Sequence, residues 1–271
     1  MTASVLHQFY TLSLSSFDKA MCELFIGAFF FAMQSCKYIQ VTGPRRTNLL
    51  KVRNIKFYNW KKLISHRNPY LHQAECVSIT FKMQKKDSKN DTITQYCSSD
   101  KLLCPVKIWS NIIWRIINYD NATPDTTVNY YMHPDSTVHK FHGKEILNRI
   151  RLAEASLGYE ELGFHPEDIE LHSAHSGAAM AMYLAGVPVF TIMLLGHWSS
   201  DAFLRYIRKQ VQEFSKGVSQ KMILNKRFFT ITSVPCASSN RYLLSNLGPN
   251  FKDTIRPLSN IFRQQQIASK G

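Results

Sequence analysis

Acidic residues are what this sequence most lacks. Between Leu24 and Ala74 there is no Asp or Glu, while Lys37, Arg45, Arg46, Lys51, Arg53, Lys56, Lys61, Lys62 and Arg67 all fall there. After Glu213 the remaining acid is Asp253, set among nine Lys and Arg. Thirteen acids lie between Asp87 and Glu170, so two basic flanks enclose a more neutral middle. The whole chain has 33 basic and 19 acidic residues, a net charge of +14. A balance of that sign disfavours cationic partners and suits a polyanion, because each neutralised phosphate releases condensed counterions.

Other absences narrow the reading further. The six cysteines (Cys22, Cys36, Cys76, Cys97, Cys104, Cys236) include no CxxC and no tight framework. That argues against a disulfide scaffold and for reduced thiols in an intracellular protein. The opening "MTASVLHQFYTLSLSSFDKA" has no basic stretch leading into an apolar one, so no secretory signal is expected. No repeat and no low-complexity tract is present. The twenty residues from Gly177 to Gly196 carry no charge, which is long enough for a membrane span. "AGVPV" interrupts them: Gly186 suits a helix stop and Pro188 the first turn of a new helix. Two short buried helices are the better expectation.

What is present describes a core. Apolar residues make up 45% of 271, enough for one large domain or two small ones. Residues 1–16 read as a frayed leader. A helix over 17–39 is apolar on more than one side and therefore buried. Strands are expected at 49–57, 76–82 and 92–98, rich in Val, Ile, Thr and Phe. The last two are joined by "MQKKDSKND", which carries Lys85, Lys86 and Lys89. Pro105 opens a helix, 120–137 reads as loop, and an amphipathic helix ends at Gly158. Helices from about Ser173 to Ala185 and from Pro188 follow, then one capped by Ser199 or Ser200. The expected fold is α+β, mainly α, with a small antiparallel three-stranded sheet. A domain over 17–216 is followed by a basic tail over 217–271.

The order helix, sheet with a lysine hairpin, helical block, then "HSAHSGAAMAMYLAGVPVFTIMLLGHWSSDAFLRYIRKQ" resembles the catalytic domain of tyrosine recombinases, the phage-integrase family. It looks closest to the versions in eukaryotic mobile elements and covers roughly residues 18–215. Each piece alone is weak: Tyr206 reads as a core tyrosine, His197 as a helix-end residue and Lys85 as a solvated loop lysine. Their composite order is specific. The resemblance implies that Tyr206 attacks a DNA phosphate to form a phosphotyrosine intermediate, in DNA recombination or integration. His172 and His197 would be the two imidazoles, and Lys85, with Lys86 second, the general acid. Arg45, Arg46, Arg53, Lys86, Arg205 and Arg208 would contact double-stranded DNA. It also implies homo-oligomers on DNA and a nuclear location in a eukaryotic host; neither a membrane nor a cofactor is expected.

Two positions depart from the family. Its phosphate clamp uses two arginines. Gln34 stands at the first, with Lys37 at the acidic position three residues on, and His175 stands at the second. Loss of one preorganised donor costs on the order of 10²–10³ in rate. The expectation is therefore impaired cleavage, or a DNA-binding remnant of a mobile element. A more distant alternative is a metal protein using His172, His175 and His197, although no HExxH motif or nearby carboxylate supports it, and no metal is expected.

Overall fold

The computed structural model describes residues 2–40, 48–81, 91–162, 164–196 and 198. The chain divides into Met1–Gln212 and Glu213–Gly271, and all described residues belong to the first unit.

The expected leader is a helix. In α1 (Ala3–Leu12) Thr2 caps the first turn, and Val5, Leu6 and Phe9 are buried. The apolar i, i+1, i+4 spacing of those three gives the helix one buried stripe, which lies on α4 (Gly143–Leu157). Phe9 meets the ring of Phe25 edge-on at 6.0 Å.

Helix α2 (Ser16–Phe30) is capped by Ser15, whose hydroxyl accepts from the Asp18 amide. From Ala20 to Phe29 every residue is buried, as the two-sided apolar pattern implies. Its acids are matched by cations on its neighbours. Asp18 pairs with Arg149 of α4 at 2.7 Å. Glu23 takes Arg115 at 3.3 Å and the Asn111 amide at 2.9 Å, both on α3 (Pro105–Ile117). Gly27 sits where α2 meets α3: a Cβ there would lie 3.0 Å from the Trp109 ring, whose Nε1 donates to the Gly27 carbonyl.

The helix stops at Phe30, short of the expected 39. The Met33 amide donates to Ala28 and the Ala32 amide to Phe29, a Schellman ending with Ala32 at φ 44°. Glycine usually marks that position, and here alanine occupies it.

The sheet has four strands rather than three. They are β1 (Ile55–Asn59), β2 (Lys62–Ile64), β3 (Cys76–Phe81) and β4 (Asp91–Tyr96), in the antiparallel order β2-β1-β3-β4. Ile55, Phe57, Val77, Ile79, Phe81 and Ile93 are buried, and α3 packs on β3 and β4. The other face carries hydroxyl pairs, Ser78 with Thr94 and Thr80 with Thr92. The expected first strand begins late. Leu50 and Val52 instead hydrogen-bond to Val128 and Thr126, and Val52–Asn54 forms a 3-10 turn. A second hairpin, β5 (Tyr130–Met132) with β6 (Val138–Lys140), occupies part of the expected loop. Helix α4 ends at Gly158, φ 85°, and the short α5 (Tyr159–Leu162) follows. Helices α6 (Ser173–Leu184) and α7 (Val189–Gly196) complete the described part, with α6 against α2. Among the described residues no helix is long and apolar enough to cross a membrane.

Packing of α1 has a direct test. Phe9→Ala is expected to destabilise the fold by about 3–5 kcal/mol in chemical denaturation, where a frayed leader would lose almost nothing.

Candidate functional site

The uncharged run divides where expected. Gly186 at φ 76° ends α6, with its amide on Tyr183 and the Val187 amide on Met182. Pro188 then accepts from Ile192 at the start of α7. Small residues Ala174, Gly177 and Ala178 are buried on α6, the helix that lies on α2. This pairing sets the start of α6, the end of α7 and the chain just beyond α2 around one buried polar group, His175.

His175 is 1% exposed. Its Nε2 lies 3.1 Å from the Gly196 carbonyl, which can only accept, so Nε2 carries the proton. Nδ1 is then a bare acceptor, buried and without a hydrogen-bond partner among the described residues. The ring stacks on Trp198 with centroids 4.1 Å apart and planes at 27°. Gly196 permits that arrangement, since a Cβ there would fall 1.7 Å from the Trp198 ring. The Trp198 amide returns to Met193 at 2.9 Å and closes the turn.

Protonation of His175 would place an extra N–H in a site with nothing described to receive it. Burial lowers its pKa to about 4, and the neighbouring charges of His172 and Lys37 act in the same direction, against the Gly196 bond. The imidazole is therefore neutral at pH 7. It joins α6 to α7 and supplies no charge to a phosphate.

His172 is exposed at the start of α6, its ring 5.1 Å from that of His175. Partial desolvation lowers its pKa, while the charge of Glu170 opposes this. It can therefore act as a neutral hydrogen-bonding imidazole at the surface. Gln34 is partly buried and extended, at φ −69° and ψ 143°, beyond the end of α2 rather than inside the expected helix.

Lys37 stands where the family resemblance puts an acidic residue. It closes the 3-10 turn Ser35–Lys37, is 6% exposed, and holds its ammonium 4.4 Å from the Phe81 ring centroid. Its charge acts on both Asp91 and His175. Phe81 and Asp91 are register partners at the end of the β3–β4 ladder, either side of residues 82–90. The available signal was a lysine inside a strongly apolar stretch, three residues after Gln34. A buried lysine is seldom tolerated unless its charge has partners.

The expected nucleophile Tyr206 lies outside the described residues, as do His197, Lys85, Lys86, Arg45, Arg46, Arg205 and Arg208. Of the expected set, the structure brings His172 and His175 together and puts Lys37 within electrostatic reach of His175. Arg53 is elsewhere, paired with Asp125, which also takes Lys51 at 2.8 Å. That shared carboxylate neutralises part of the charge expected to face DNA. Among the described residues no group of three His, Cys, Asp or Glu could hold a metal. No protein-family model matches the chain, and no curated protein is significantly similar to it.

The buried imidazole makes stability depend on pH. The unfolded chain binds this proton near pH 6.5 and the folded one near 4, so His175 contributes stability that is fully present above about 6.5. That contribution, about 3 kcal/mol, is lost as pH falls towards 4. Thermal melts between these values should show it. His175→Gln, which keeps a donor for Gly196, should flatten that part of the profile.

Proposed function

We propose that this chain binds duplex DNA through a tyrosine-recombinase-like domain, and that strand cleavage by Tyr206 is disabled at the phosphate clamp. The observation that carries the loss of cleavage is His175: at the second clamp position it is buried, neutral at pH 7 and committed to Gly196. A transition state that gathers charge on phosphate oxygens needs preorganised positive charge or donors aimed at them. Gln34 offers donors without charge, and His175 has already committed its N–H. The net charge of +14 and the acid-free stretch from Leu24 to Ala74 support DNA as the partner. The order of elements supports the recombinase resemblance. After α1 comes the buried helix α2, then an antiparallel sheet in which β3 and β4 flank residues 82–90, then helices, with the β5–β6 hairpin among them, leading to Gly196.

A second reading is favoured by Lys37. Its ammonium is held in place, and its charge reaches His175. A lysine is a point charge that cannot reproduce the two-pronged grip of arginine, yet it can stabilise an oxyanion. In this reading the clamp has been rebuilt and Tyr206 remains a working nucleophile.

A nicked-duplex trapping assay separates the two. The unaltered chain is expected to form no covalent DNA adduct, whereas its duplex affinity should fall at least about tenfold between roughly 50 and 200 mM salt. An adduct that disappears in both Tyr206→Phe and Lys37→Gln would establish the second reading. Affinity that does not respond to salt would sink DNA binding altogether.

A further inference from the structure

The strand absent from sequence expectation brings with it an unusual turn. β1 and β2 are joined by two residues, Trp60 and Lys61, inside the closing pair Asn59–Lys62. Both are left-handed, at φ 47° and φ 68°. This is the pattern of a type I′ hairpin turn, whose preferred residues are Asn-Gly or Asp-Gly. A bulky aromatic is disfavoured there and persists where neighbouring groups hold it. Here Glu75 does so: its carboxylate accepts the Trp60 amide at 2.9 Å, and its own amide donates to the Asn59 side chain at 2.6 Å.

The arrangement presents the indole to water. Trp60 is 91% exposed, the most exposed large apolar side chain among the described residues. Around it the sequence is basic: Lys56, Lys61, Lys62 and Arg67 are all exposed, and the carboxylate of Glu75 is engaged by the turn itself. The indole shares its hairpin with the exposed Lys61, Lys62 and Leu63, and a π face flanked by cations suits an unstacked nucleobase with its flanking phosphates.

Resting on the DNA-binding reading above, we infer that Trp60 is a base-stacking contact, and that the substrate of this surface is DNA with an unpaired or single-stranded segment. Bases inside an intact duplex are already stacked and offer the indole no face.

Binding of the full chain to a labelled thymidine oligonucleotide of about twenty nucleotides, and to an intact duplex, tests this. The variants are Trp60→Asn, which suits the left-handed turn and keeps every charge, and Trp60→Phe, which keeps a ring. Trp60→Asn should weaken oligonucleotide binding by about tenfold and leave duplex affinity and salt dependence unchanged. Trp60→Phe should retain most of the affinity. Equal oligonucleotide binding by Trp60→Asn and the unaltered chain would overturn the contact while leaving DNA binding in place. No binding of the unaltered chain to either DNA would overturn both. Loss of self-association in Trp60→Asn, with unchanged DNA affinity, would assign the indole to a second copy instead.

Discussion

Helix α2 has no face left for water between Ala20 and Phe29, and the fold is arranged to meet that constraint. Helices α1, α3, α4 and α6 each take part of its surface. The cover has to be polar as well as apolar, since α2 carries Asp18 and Glu23 into the interior. A buried carboxylate without a partner would be far more costly than the pair it forms. Arg149, Arg115 and Asn111 answer those two acids from α4 and α3. At Gly27 the absence of a side chain lets Trp109 lie against the backbone.

The candidate site inherits its geometry from that packing. Because α6 lies on α2, the start of α6 and the segment just past α2 come near each other, and His175 enters the interior rather than the surface. Burial decides its chemistry. An imidazole in water titrates close to neutrality, but one buried against Trp198 stays neutral even though the Gly196 carbonyl favours its charged form. The positive charge at the site then resides on Lys37, held against Phe81. The structure thus puts a neutral imidazole on α6 and an ammonium on the turn after α2.

Three differences between the sequence reading and the structure share one physical origin. Helix α2 ends at left-handed Ala32, the β1–β2 hairpin turns through left-handed Trp60 and Lys61, and the β5–β6 hairpin turns through left-handed Ser136. At each place a residue other than glycine adopts a backbone conformation that glycine usually marks, at roughly 1–2 kcal/mol per residue for an L-amino acid. The early helix end, the fourth strand and the second hairpin were all hidden in this way. Where glycine does stand at such a position, as at Gly158 and Gly186, the boundary was readable. The short helix α1 was hidden differently. Its three buried side chains span barely one turn, too little periodicity to separate a docked helix from a leader.

By itself the sequence determined the basic character of the chain, the all-round burial of α2, the antiparallel β3–β4 pair, and the break of the uncharged run at Gly186. Each depends on composition or on local pattern, which a single strand or helix already contains. Tertiary structure alone decided that His175 is a neutral tie between α6 and α7, that Gln34 lies outside its helix, and that Lys37 is the buried cation. Those outcomes depend on how much water each group loses and which charges come near it. Such quantities arise only when segments distant in the chain are packed together.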